Sequence, residues 1–121
     1  MQQGTVMDAY YKEVIGIIDD IHTHEKERIL QAARVIADHV EKDRLVYVFG
    51  PGGHSNLAAM EIFFRAGGLM HVSAILNQDT MLSNGAMKSM HAERLPGYGR
   101  IIVNDYNIGK DDLLLVVNAY G

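Results

Sequence analysis

Chemically useful side chains concentrate in Gly50-Pro51-Gly52-Gly53-His54-Ser55, directly after the apolar run Leu45-Val46-Tyr47-Val48-Phe49. A strand that ends in glycines and opens into a helix puts free backbone N–H groups and the positive end of the helix dipole at the C-terminal edge of a sheet. That arrangement binds anions. Glycine suits it because a Cβ would keep the backbone away from a phosphate. Ser55 at the helix start can cap the helix and donate its hydroxyl to a ligand. His54, inside the loop, can donate from a neutral ring or pair with phosphate when charged. The same residues also make a plain strand-to-helix turn with a capping serine, and the local motif alone leaves both readings open.

Two better-known phosphate loops fit less well. A dinucleotide-binding loop wants a third glycine where Ser55 stands and an acidic residue roughly 20 positions on, where Leu69 to Ser73 carry none. The Gly-Lys-Ser/Thr of a P-loop is missing.

The elements that must position this loop follow from periodicity. Val14, Ile17, Ile18 and Ile21 fall on one helical stripe, and Ile29, Ala33, Ile36 and Val40 repeat it. The polar stretch His22 to Glu27 between them reads either as a turn with Thr23 as N-cap or as the exposed middle of one long helix. The run Leu45 to Phe49 reads as a strand buried on both faces. Leu57, Met60, Glu61 and Phe64 share a helical face, with Gly67-Gly68 as the stop. Strands are expected at Leu69 to Leu76, Arg100 to Val103 and Leu113 to Val117, and a helix at Asn84 to Leu95. Alternating strands and helices imply a largely parallel sheet. The expected division is a helical segment at 1–43 and an α/β domain at 44–121. Ending one loop after a buried strand, the domain is expected to be cut short or to be covered by a partner subunit.

Composition bounds the function. With 11 Lys+Arg against 15 Asp+Glu in 121 residues, the formal charge is −4, which argues against a nucleic-acid partner. A hydrophobic fraction of 48% is enough for one core. There is no cysteine, hence no disulfide framework, thiolate metal site or cysteine nucleophile, as suits a cytoplasmic enzyme. No apolar run approaches the roughly 18 residues of a membrane span, so no membrane partner is expected.

Further matches accompany the glycine loop. Tyr47 through Ser55, then Glu61, Phe64-Arg65-Ala66-Gly67-Gly68-Leu69, Gly85-Ala86-Met87-Lys88-Ser89, Glu93-Arg94-Leu95 and Gly97-Tyr98 together resemble the sugar isomerase domain family, especially a bacterial branch described as phosphoheptose-isomerase-like. The similarity runs from about Ile29 to the C-terminus. It implies a flavodoxin-like parallel sheet with flanking helices, preceded by an N-terminal helical hairpin or long helix. It also implies a homodimer or higher homo-oligomer and a phosphorylated sugar at the strand ends. Two features depart from the family. Its second, hydroxyl-rich phosphate loop is here Asn118-Ala119-Tyr120-Gly121, and the positions of a zinc-binding His and Glu correspond to Glu61 and Arg65. An arginine cannot ligate a metal, so neither metal nor other cofactor is expected.

Within that resemblance Glu61 reads as the general base that removes a proton beside a sugar carbonyl, against the plainer reading of an i, i+4 ion pair with Arg65. His91 and Glu93, near Lys88 and Arg94, can supply acid, base or phosphate contacts from a neighbouring subunit, or form a solvated helix face. Gly52, Gly53, His54 and Ser55 are the candidate phosphate contacts. Thr80 and Ser83 are candidates for the sugar hydroxyls, unless they only cap the following helix. The expected activity is an aldose-ketose isomerisation through an enediol; the alternatives are a non-catalytic phosphosugar sensor and an assembly fragment.

Overall fold

A computed structural model of the chain describes residues 4–119, so Tyr120 and Gly121 of the expected second phosphate loop lie outside the described residues. It divides into two compact units at Ala37 and Asp38.

The first is helical. Helix α1 (Val6–Asp20) starts at a capping box: Thr5 Oγ1 accepts from the Asp8 amide at 3.2 Å, while Asp8 Oδ2 accepts from the Thr5 amide at 2.7 Å. This reciprocal cap is worth about 1 kcal/mol. A π-helical turn, Ile21–Glu25, then leads without a break into α2 (Lys26–Val40). The long-helix reading therefore holds, and Thr23 lies inside the π turn instead of capping a second helix. The π turn has a use: Ile21 and Ile29 are eight positions apart, one more than two helical turns, and the wider i→i+5 turn absorbs the extra residue. The two apolar stripes are thereby brought into line.

The second unit is a three-stranded sheet in the order β2-β1-β3, all parallel, with β1 at Val46–Phe49, β2 at Val72–Ile75 and β3 at Leu113–Val116. Phe49 is opposite Ile75 on one side and Val116 on the other. Val46, Val48 and Phe49 are buried, as the continuous apolar run requires of a central parallel strand. Phe49, Ile75 and Ile102 form the core cluster, with Tyr47, Tyr98 and Leu114 among the side chains packed on it. β3 is half-buried, with Val116 exposed, which corrects the expectation of a fully buried last strand.

Three further expectations change. Arg100 to Val103 is not a strand but part of α5 (Tyr98–Asn104), which starts at Gly97 in the left-handed region with φ 83°. Tyr98, Ile102 and Tyr106 recur every four residues, and burying Ile102 against Phe49 and Ile75 outweighs the β preference of the Ile-Ile-Val run. Helix α3 (Ser55–Ile62) stops before the glycine pair, because Phe63 is already extended at ψ 138°. Its buried residues are Asn56 and Ala59; Leu57 and Met60 face solvent, and Phe64 lies past the helix end. Small side chains let α3 lie close on the strands, which turns the larger apolar ones outward. Helix α4 (Ala86–Glu93) forms where expected, after a 3-10 turn at Leu82–Asn84. Among the described residues no helix is long and apolar enough to cross a membrane.

Candidate functional site

The loop after β1 turns sharply because Gly50 has no side chain: a Cβ there would run into the Ser55 carbonyl, at the start of α3. At Gly53 a Cβ would fall 2.7 Å from Leu82 Cδ2 and 2.9 Å from Ser89 Oγ. These two glycines let the loop pack on its own chain, in place of the close ligand approach expected from sequence. Gly52 differs, since the nearest atom to a Cβ there would be Glu93 Oε2, at 2.9 Å.

Over this loop opens a cleft of about 630 Å³. Residues 51–55 form one wall, Glu93 and Arg94 at the end of α4 another, and Asn118 and Ala119 after β3 the third. It lies beyond the carboxyl ends of β1 and β3, where open parallel sheets bind ligands.

The donors facing it are specific. His54 is the N-cap of α3 with a helical backbone and no capping side-chain bond, so Ser55 is the first helical residue and does not cap. The Asn56 amide is taken by the Gly52 carbonyl at 3.0 Å and the Leu57 amide by the His54 carbonyl at 3.1 Å. The amides of His54 and Ser55 have no acceptor among the described residues. The Gly53 amide donates to Glu93 Oε2 at 3.3 Å. The cleft thus has Glu93 on one wall, with the start of α3, Ser55 and Arg94 among its other lining residues, a set of groups that can receive an anion.

A family model for the SIS (sugar isomerase) domain matches residues 9–121. The chain belongs to the SIS domain family. Among curated proteins, this SIS chain is 38% identical over 117 residues to a UPF0309 protein of Caldanaerobacter subterraneus subsp. tengcongensis, covering 96% of the chain and 47% of the relative. UPF0309 proteins of Brucella ovis and Brucella canis are each 39% identical over 116 residues, covering 96% of the chain and 48% of the relative. The chain spans about half the length of the curated relatives it matches.

Of the residues expected at the site, the SIS fold brings Gly52, Gly53, His54, Ser55 and Glu93 to one cleft. Glu61 is elsewhere, with Oε1 3.0 Å from Arg65 Nη2 and both side chains about two-thirds exposed. Such a pair contributes a few tenths of a kcal/mol, about what an exposed ion pair gives. His91 is exposed on a separate groove beside Asp79, Lys88 and Tyr98. There Asp79 bonds Lys88 Nζ at 2.7 Å and accepts from Tyr98 Oη at 2.6 Å, and the lysine and phenol together hold its carboxyl below the usual range. The hydrogen bond to Asp79 in turn raises the Tyr98 phenol.

Thr80 is 1% exposed, and its hydroxyl donates to the Asn77 carbonyl at 3.1 Å while accepting from Asn56 Nδ2. Ser83 is exposed in the 3-10 turn before α4. Asn56 and Ser89, both buried beneath the loop, were not expected. A polar residue at an interior helical position gives no periodic signal, and only the packing of three separate segments reveals it.

Proposed function

We propose that this SIS domain binds a phosphorylated sugar in the cleft over residues 51–55, and that it carries the proton-transferring carboxylate of an aldose-ketose isomerase. The observation behind this reading is Glu93, whose carboxylate is oriented by the Gly53 amide at the wall of the cleft. A phosphate carries close to two negative charges at neutral pH, so it avoids the Glu93 end. The Ser55 hydroxyl, the amides of His54 and Ser55 and the Arg94 guanidinium supply its binding. The carbonyl end of the sugar then faces Glu93. Glu93 takes the proton from the carbon beside the carbonyl, the electron pair moves onto the carbonyl oxygen as an enediolate forms, and Glu93 returns the proton to the neighbouring carbon. His54, on the neighbouring wall of the cleft, can carry the hydroxyl proton between the two oxygens.

Thermal-shift measurements with fructose 6-phosphate and sedoheptulose 7-phosphate, against inorganic phosphate and free fructose, test the binding half. Stabilisation by a phosphosugar beyond that by phosphate alone supports it, and no shift with any of them overturns it. Solvent deuterium entering the carbon beside the carbonyl supports turnover. Binding without exchange leaves a phosphosugar sensor.

Homo-oligomer formation belongs to the same proposal. The aligned stripe of α1 and α2 holds no buried residue and suits the same helix of a second copy. Light scattering at a single-chain mass would remove it.

A further inference from the structure

Asn56, the second residue of α3, is 1% exposed, and its Nδ2 donates to the Gly52 carbonyl at 2.8 Å, the Thr80 hydroxyl at 3.0 Å and the Thr80 carbonyl at 3.2 Å. Ser89, also 1% exposed, donates its hydroxyl to the same Thr80 carbonyl at 2.8 Å. One buried polar knot therefore ties the glycine loop, the turn at Gln78–Thr80 and α4 together. The knot is not fully satisfied, for Asn56 Oδ1 is buried without a partner among the described residues. Burying such an oxygen is unfavourable, a cost that an apolar residue of the same size would avoid. The amide has a compensating use.

That use lies one helical turn beyond Ser89. Ser89 and Glu93 are four apart on α4 and share a face, so the bond from Ser89 to Thr80 sets the rotation with which Glu93 meets the loop. At its other end the knot pulls the Gly52 carbonyl inward, which leaves the next amide, that of Gly53, directed at Glu93 Oε2. We propose that Asn56 is a positioning residue: through Gly52 on one side and Thr80 with Ser89 on the other, it sets the distance between the Gly53 amide and the Glu93 carboxylate. Its importance for chemistry rests on the isomerase reading; the geometric claim stands without it.

The test reads the Gly53 amide directly. In 15N-labelled protein its resonance is followed as pH is lowered through the carboxylate range, with Glu93→Gln as the control. Any movement left in that control belongs to His54 or other neighbours and is subtracted. Asn56→Leu and Ser89→Ala are expected to reduce the Glu93-dependent movement at least twofold, while Thr80→Ser, which keeps the hydroxyl, preserves it. A full response in Asn56→Leu overturns the proposal. If Asn56→Leu does not fold, Ser89→Ala decides, and a full response there overturns it equally. A wild-type Gly53 resonance indifferent to Glu93 also overturns it. A reduced response in a protein that binds no phosphosugar supports the positioning claim while the functional reading fails, so the two failures are distinguishable.

Discussion

The Gly53 amide nitrogen and Glu93 Oε2, forty residues apart in sequence, meet at 3.3 Å over the glycine loop. One backbone donor of the glycine loop is thus already engaged by the protein's own carboxylate. In the proposed binding mode an incoming phosphate uses the His54, Ser55 and Arg94 side of the cleft, which would set the direction in which a sugar phosphate lies.

Replacing Glu93 by Gln keeps an oxygen for the Gly53 amide and removes the base. Deuterium exchange into the bound sugar phosphate should fall by about 100-fold or more, with affinity changed much less. Glu61→Gln should leave exchange within about twofold, since its loss touches only an exposed ion pair. The two variants are compared by NMR of the recovered sugar.

Arg94→Ala should weaken binding of a phosphosugar by about tenfold or more, the usual worth of a charge-assisted hydrogen bond to phosphate. Isothermal titration with the phosphorylated and free forms of one sugar checks this, because the free sugar should bind both proteins alike.

Glycine substitutions should divide sharply. Gly50→Ala drives a methyl into the backbone of Ser55 and should cost about 3 kcal/mol. Gly99→Ala, inside α5 with nothing within 4 Å of the new methyl, should stabilise by about 0.5–1 kcal/mol. Urea midpoints measure both.

The Asp79 carboxyl is held below its ordinary value of 3.8, by Lys88 first and Tyr98 second. A depressed acid contributes stability above its unfolded pKa, and that contribution is lost as pH falls through the folded value. Urea midpoints should therefore drop below about pH 4, and Asp79→Asn should flatten part of that drop. Tyr98 has the opposite sign: its phenol is raised above 10.0, so the contribution present below that value is lost as pH rises through the folded pKa. Tyr98→Phe should correspondingly reduce the alkaline loss.

Local signals made the helices of the first unit, the central strand, the glycine loop and α4 readable, because each rests on periodicity or on an apolar run of the right length. The length of the N-terminal helix was not readable. Its polar middle suits a turn or a helix equally, and the π turn that aligns the stripes leaves no mark in composition. Arg100 to Val103 reads as a strand because three β-branched residues in a row carry a β preference, which burial of Ile102 on Phe49 and Ile75 overrides.

By itself the sequence determined that a parallel α/β sheet would present Gly50 to Ser55 at a strand end, since glycine placement and hydrophobic period act over a few residues. Only the tertiary structure decided which acid belongs to that loop. Glu61, near in sequence, turns to Arg65 in solvent, and Glu93, far away, is brought to Gly53. The physical reason is that α4 is anchored through Ser89 and Thr80 to Asn56, by buried hydrogen bonds between segments 9 and 24 residues apart, which no local pattern encodes.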